Sequence, residues 1–260
     1  MKGEATVYAD VNAVLERLLA EVQATLGEQF VGLYVGGSLA AGDFQPQRSD
    51  IDFVVVSADE LPAPTLAAVA ALHARLRASG PEWATRIEGG YIPRAGLRRY
   101  DPDHARYPWL GTDGHFAVEQ FGHGWVIQLH VLREHGLALA GPDPRTLIDP
   151  IGPDDLRRAQ RAMLREWWQP QLDDHSRLTS REYQAYAVLT MCRALYTLRH
   201  GAVVTKAVAA RWAQETLGER WAMLIERALA WPRLPQPDQL GETLDLVRYT
   251  LLPSEQPDGS

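Results

Sequence analysis

The 260 residues are 46% hydrophobic and 23% charged, with a formal net charge of −7 at pH 7 and one cysteine, Cys192. A chain of that length builds one large or two modest domains with an ample core, and its lone cysteine excludes an internal disulfide and suits a reducing cytoplasm. Residues 1–150 carry the whole charge deficit, 12 basic against 19 acidic, while residues 151–260 balance, which argues against nucleic acid and for a cationic partner.

No run of about 18 apolar residues offers a membrane span, and the opening MKGEATVYAD does not read as a secretory signal. Residues 11–26 place Val11, Val14, Leu15, Leu18, Leu19, Val22 and Leu26 at helical spacing, stopped by Gly27. Phe30–Val35 reads as a short buried strand, Gly36-Gly37-Ser38 as a tight turn, and Ser38–Ala41 as one helical turn. The next strand is predicted at 51–56, and a helix from Thr65, as N-cap, to Ala78. Ala84–Ile92 reads as a third strand interrupted at Gly89-Gly90, and 93–124 as a long loop region. Trp125–Leu132 is assigned to a fourth strand and Arg133–Leu139 to a short helix.

Gly141-Pro142-Asp143-Pro144 and Asp149-Pro150 mark a linker. Helices follow at 153–168, 180–199, 205–217, 219–230 and 239–251, with Gly201 and Gly218 at C-cap positions. The expected fold class is α+β: a small mixed-sheet domain over 1–150, then an all-helical domain over 151–260. The tail after Pro253 is expected to fray.

Two aspartates open the apolar strand Ile51-Asp52-Phe53-Val54-Val55-Val56. Strand alternation turns Asp50 and Asp52 to one face and Ile51, Phe53 and Val55 to the core. Paired carboxylates suit a divalent cation with phosphate co-ligands, although Ser-Asp-x-Asp also occurs at ordinary solvated strand entries. Pairing of strands 30–35 and 51–56 brings the Gly36-Gly37-Ser38 turn beside the aspartates. There, glycine admits a phosphate close to backbone N–H groups and Ser38 adds a hydroxyl. No Gly-Lys-Ser/Thr follows, so the turn is not a Walker loop. Glu88, on the next strand, is a candidate third carboxylate, as metal ligand or as general base. Its alternative is an exposed strand residue.

A glycine-serine turn, a spacer and Asp-x-Asp on adjacent strands resemble the polymerase-beta-like nucleotidyltransferases. The whole chain resembles the aminoglycoside (3″)(9) O-nucleotidyltransferases that adenylylate streptomycin and spectinomycin. The likeness runs through REHGLALAGPDPRTLIDPI at 133–151 and YAVLTMCRALYTLRHGAVVTKAVAARWA at 186–213. It implies transfer of AMP from ATP to a hydroxyl of a cationic small molecule, with Asp50, Asp52 and Glu88 at Mg²⁺ and Glu88 as base. Gly37, Ser38, Ser49, Arg193 and Lys206 would hold the nucleotide. Where that family spaces acids ahead of the phosphate-binding arginine, this chain has Thr179 and Tyr183. The nearest acceptor-binding candidates are therefore Asp173, Asp174, Glu182 and Trp168, with Trp167 beside it. A monomer is expected, with neither nucleic acid nor membrane as partner. The alternatives are nucleotidyl transfer to another small molecule or a protein, and a silent nucleotide-binding module.

Overall fold

The computed structural model describes residues 6–232 and 237–252; Lys2 and the tail beyond Pro253 lie outside them. Two compact units result, one of Met1–Phe121 with Gln128–Pro150, the other of Gly122–Ile127 with Ile151–Ser260. The division after residue 150 coincides with the predicted linker, but the segment 122–127 joins the second unit.

In chain order the first part of the molecule runs α1 (Ala9–Leu26), β1 (Phe30–Val35), α2 (Gly37–Ala40), β2 (Ile51–Ser57), α3 (Ala63–Ala78) and β3 (Ile87–Pro93). It continues α4 (Arg94–Arg98), β4 (Arg106–Leu110), β5 (Phe116–Gln120), α5 (Gly124–His135), β6 (Leu137–Ala140) and α6 (Pro144–Leu147). Among the described residues these strands form one six-stranded mixed sheet in the order β5-β4-β3-β2-β1-β6. β2 and β3 run parallel, and the other neighbours antiparallel. The parallel pair follows from its connection, since α3 carries the chain back to the start of the sheet. Val14, Leu18 and Val22 of α1 and Leu72 and Leu76 of α3 share one core with Leu33, Val35, Phe53 and Val55. That core fixes the register, because a slip of one residue would turn Asp52 inward and Phe53 to water.

Four local expectations are corrected. Helix α3 begins at Ala63 after the N-cap position Pro62, which makes no side-chain cap, so Thr65 lies inside the helix. Proline in the first turn, pre-set in φ, replaces the hydroxyl cap. β3 runs through Gly89-Gly90 unbroken, because Gly89 pairs in register with Phe53 and Gly90 with Val54; a Cβ on Gly89 would overlap the Phe53 carbonyl. The supposed loop 93–124 holds a hairpin, β4 and β5, in which Tyr107 and Leu110 are buried while Arg106, Val118, Glu119 and Gln120 are exposed. Residues 125–132 are helix, not strand: Trp125, Leu129 and Leu132 are the buried positions, spaced four and three apart. The predicted helix at 133–139 correspondingly dissolves into the end of α5 and the edge strand β6.

The second unit contains α7 (Pro153–Met163), a single π-helical turn over Leu164–Trp168, α8 (Arg181–His200), α9 (Lys206–Thr216), α10 (Glu219–Ala230) and α11 (Leu240–Leu251). Gly201 closes α8 in the left-handed conformation, φ 62°, where glycine carries no steric penalty. Gly218 instead occupies the N-cap position of α10. Ser180 caps the start of α8 by accepting from the Tyr183 N–H at 3.1 Å. Buried Gln184 ties that start to α11, donating to Leu178 O and Asp238 and accepting from the Gln239 N–H. Around them Trp168, Leu178, Met191, Cys192, Ile225 and Val247 form the helical core.

His73 of α3, 4% exposed, shares a 2.8 Å hydrogen bond with the Tyr91 hydroxyl of β3. Burial lowers its pKa to about 4, with the Glu21 charge opposing weakly. The unfolded imidazole titrates near 6.5, so between pH 6.5 and 4 the unfolded chain binds more protons and acid destabilises the fold. The expected loss between pH 7 and pH 5 from this one group is about 2 kcal/mol. Urea denaturation at the two pH values should show it, and His73→Leu/Tyr91→Phe, which removes both polar partners, should flatten the slope by that amount. An unchanged slope in the double variant would place the acid sensitivity elsewhere.

Candidate active site

The first unit assembles most of the acidic candidates. Antiparallel pairing of β1 with β2 puts the residue after β1 beside the start of β2, and the Gly36 N–H donates to the Asp52 carbonyl at 2.9 Å. Gly37 follows with φ +54°, and a Cβ there would overlap the Asp52 carboxylate. The carboxylate thus rests directly against the glycine backbone, a fit that any side chain would destroy. Ser38, half-buried, stands next in the turn as part of α2.

Across the parallel pair, Asp52 lies in register with Glu88. Both are half-buried, while their neighbours Ile51, Phe53 and Ile87 are buried on the other face. One step back, the Ile51 N–H donates to the Arg86 carbonyl at 2.8 Å, and Arg86 Nε lies 3.7 Å from the Asp50 carboxylate. The two strands therefore present successive rows on one face, first Asp50 with Arg86, then Asp52 with Glu88.

Arg86 stands beside these acids, and the motif reading passed over it. Its guanidinium also donates to Pro46 O and Ser49 O, each at 2.6 Å, and lies over the Trp83 ring at 4.5 Å. It pins the 45–50 loop to the sheet and supplies a positive charge beside the acids. Its position two residues before Glu88, on the same strand face, was the available signal. Ser49 has a role in this loop too, its Oγ accepting from the Gln45 N–H at 2.9 Å, which leaves its hydroxyl hydrogen to donate.

The second unit carries the cationic candidates. Arg193, half-buried, sits near the middle of α8, and Lys206 is the first residue of α9. Thr205 is the N-cap of α9, accepting from the Val208 N–H at 3.3 Å. Lys206 Nζ lies over the ring of Tyr186 at 4.6 Å. Tyr186 precedes Arg193 by seven residues, almost two full turns, and so shares its face of α8.

The acceptor candidates are partly redistributed. Trp168 is 1% exposed and belongs to the helical core, so it offers no binding surface; its neighbour Trp167, 45% exposed, is the accessible ring, with Arg177 over it at 5.0 Å. Both tryptophans lie in the π-helical turn at 164–168, with Trp168 the buried one of the two. Asp173, Asp174 and Glu182 are exposed. The Ser176 N–H donates to Asp174 at 3.0 Å and holds its carboxyl below the usual carboxylate range. Tyr183 packs between Trp168 and Tyr186, at 6.2 and 5.4 Å between ring centroids.

No three His, Cys, Asp or Glu side chains among the described residues are gathered closely enough to hold a metal ion by themselves. Asp52 and Glu88, side by side and all-oxygen, nevertheless offer a donor set for a hard cation that takes its remaining ligands from phosphate and water.

Residues 15–97 match the nucleotidyltransferase domain, and residues 146–248 match the C-terminal domain of aminoglycoside adenylyltransferases. The chain is 26% identical over 254 residues to an aminoglycoside (3″)(9) adenylyltransferase of Shigella flexneri, covering 92% of this chain and 91% of that protein. The like-named protein of Rhizobium radiobacter is 27% identical over 242 residues, 86% of this chain and 84% of that one. The crystal structure of a spectinomycin adenyltransferase from Enterococcus faecialis, solved with ATP and spectinomycin, superimposes with a TM-score of 0.73 over 92% of this chain and 98% of that one, at 17% identity. That similarity establishes the fold.

Proposed function

We propose that this chain, which matches the nucleotidyltransferase domain and the C-terminal domain of aminoglycoside adenylyltransferases, transfers AMP from ATP to a hydroxyl of an aminoglycoside antibiotic such as streptomycin or spectinomycin. The observation that carries this reading is the register of Asp52 with Glu88, two carboxylates on adjacent parallel strands, beside a glycine turn moulded to one of them.

In the reaction the acceptor oxygen attacks the α-phosphorus. The bond from that phosphorus to the bridging oxygen breaks, and pyrophosphate leaves. The acceptor's proton goes to the carboxylate of Glu88, which acts as general base. Asp52 and Glu88 would hold Mg²⁺ together with phosphate and water oxygens, and the bound ion would neutralise charge on the phosphates and favour displacement at the α-phosphorus; Asp50, against Arg86, stands outside that pair. The Gly37 and Ser38 backbone and the Ser38 and Ser49 hydroxyls donate to phosphate oxygens. Arg193 and Lys206 supply positive charge for the departing pyrophosphate. Arg86 keeps the Asp50 loop in place when no nucleotide is bound. The exposed acids Asp173, Asp174 and Glu182 give a polycationic acceptor its counter-charges. A cytoplasmic, monomeric enzyme needs nothing beyond these parts.

A direct assay tests the reading. Purified chain, ATP, Mg²⁺ and a panel of aminoglycosides should yield drug heavier by one adenylyl group, together with pyrophosphate. Glu88→Gln should reduce turnover by roughly 10²–10⁴-fold with the fold intact. Adenylylation of another acceptor alone would move the substrate, and no transfer to any hydroxyl compound would remove the activity.

A further inference from the structure

The contact between Lys206 and Tyr186 bears on how the lysine is prepared for a ligand. Lys206 is one of two lysines in the chain and stands at the first position of an α-helix. A cation there opposes the positive end of the helix dipole, so helix stability gives no reason for it. A phosphate ligand does, since the ammonium and the helix terminus attract it together. Free in solution, a lysine side chain samples many rotamers, and ordering it on binding costs entropy.

Tyr186 removes that freedom. Its ring faces Lys206 Nζ at 4.6 Å and is itself seated against buried Trp168, at 6.1 Å, and Tyr183, at 5.4 Å. The residue is 39% exposed. An aromatic face attracts the ammonium through its quadrupole alone.

We infer that Tyr186 is a positioning residue: its ring holds the Lys206 ammonium in place for the nucleotide's phosphates before ATP binds. This rests on the phosphate-binding role given above to Lys206. Arg193, on the same face of α8, needs no such support because its guanidinium is rigid and less mobile per hydrogen bond formed.

With two lysines in the chain, the proposal has a direct spectroscopic readout. Reductive methylation with ¹³C-formaldehyde labels Lys2, Lys206 and the N-terminal amine while keeping their charge. The Lys206 methyl signal should lie upfield, shifted by the ring current of Tyr186. Lys206→Arg identifies it by its disappearance. Tyr186→Leu should return the signal to the position of a solvated lysine, and Tyr186→Phe should keep it upfield. In the unlabelled enzyme, Tyr186→Leu should raise KM for ATP about three- to tenfold with kcat changed less, and Tyr186→Phe should restore it. Combining Tyr186→Leu with Lys206→Ala should be no worse than Lys206→Ala alone, since both act through one ammonium. A Lys206 signal indifferent to Tyr186→Leu, or additive effects in the double variant, would overturn the proposal. A signal that depends on Tyr186 but does not move on adding Mg²⁺ and ATP would instead refute the phosphate role of Lys206.

Discussion

Asp52→Asn is expected to lower kcat for AMP transfer by roughly a thousandfold, within the range lost when a charge-stabilising group is removed from an active site, while leaving the protein folded and no less stable. The substitution is isosteric, so it fits the niche against Gly37 that the carboxylate now fills. What changes is charge. A neutral amide neither holds a hard divalent cation nor balances it beside Glu88. The same loss of charge removes repulsion between two acids in register on adjacent strands. Relief of about 0.5–1 kcal/mol, the scale of a cross-strand pair, raises Tm by about 1–4 °C in a protein of this size. Activity and stability therefore move in opposite directions, which separates loss of function from loss of fold. Steady-state kinetics with a thermal melt on the same preparation measures both, and turnover within tenfold of the parent would take Asp52 out of the reaction.

The facing of the aspartates was legible because strand alternation is a strong local signal. From Ile51-Asp52-Phe53 alone, Asp52 had to face away from the core, and the structure buries Ile51 and Phe53. The register of Glu88 with Asp52 was not legible in the same sense. It depends on α3 returning the chain so that β3 runs parallel to β2, a tertiary choice that no residue in 51–57 encodes. Arg86 was missed because a motif written in carboxylates has no place for their counter-charge. The helices after 150 were read with nearly correct limits, since α7, α9, α10 and α11 each bury one periodic stripe, while α8, buried over most of its surface, is delimited by the Ser180 cap and Gly201. Residues 125–132 went wrong for the opposite reason. Trp125-Val126-Ile127-Gln128-Leu129-His130-Val131-Leu132 is apolar almost throughout, and a continuous run carries no period that distinguishes a buried strand from a helix. Trp168 and Trp167 show the limit at the level of one residue: adjacent, chemically identical and in the same π-helical turn, yet one is buried and the other exposed.

Gly37→Ala should be more damaging than the addition of one methyl group suggests, and Gly36→Ala supplies its internal control. Gly36 has φ −114°, and a Cβ there meets nothing within 4 Å; its substitution should leave the melting temperature within a degree or two. Gly37 has φ +54° and its Cβ would occupy the space of the Asp52 carboxylate. An L-residue in that conformation costs about 1–2 kcal/mol, and the overlap must then be relieved by moving either the turn or the aspartate. If the turn moves, the N–H groups of Gly37 and Ser38 lose their aim. If the aspartate moves, its carboxylate leaves the row it shares with Glu88. A displacement on the order of 1 Å in either suffices for a hundredfold loss of rate. The expected result is a modest drop in Tm with kcat down about 10²-fold or more. ATP binding, followed by calorimetry, should be weakened in parallel if the turn is what moves and preserved if the aspartate does. A Gly37→Ala enzyme with parental turnover would mean that the contact between turn and carboxylate has no part in catalysis, and the phosphate-cradling role of the glycine-serine turn would go with it.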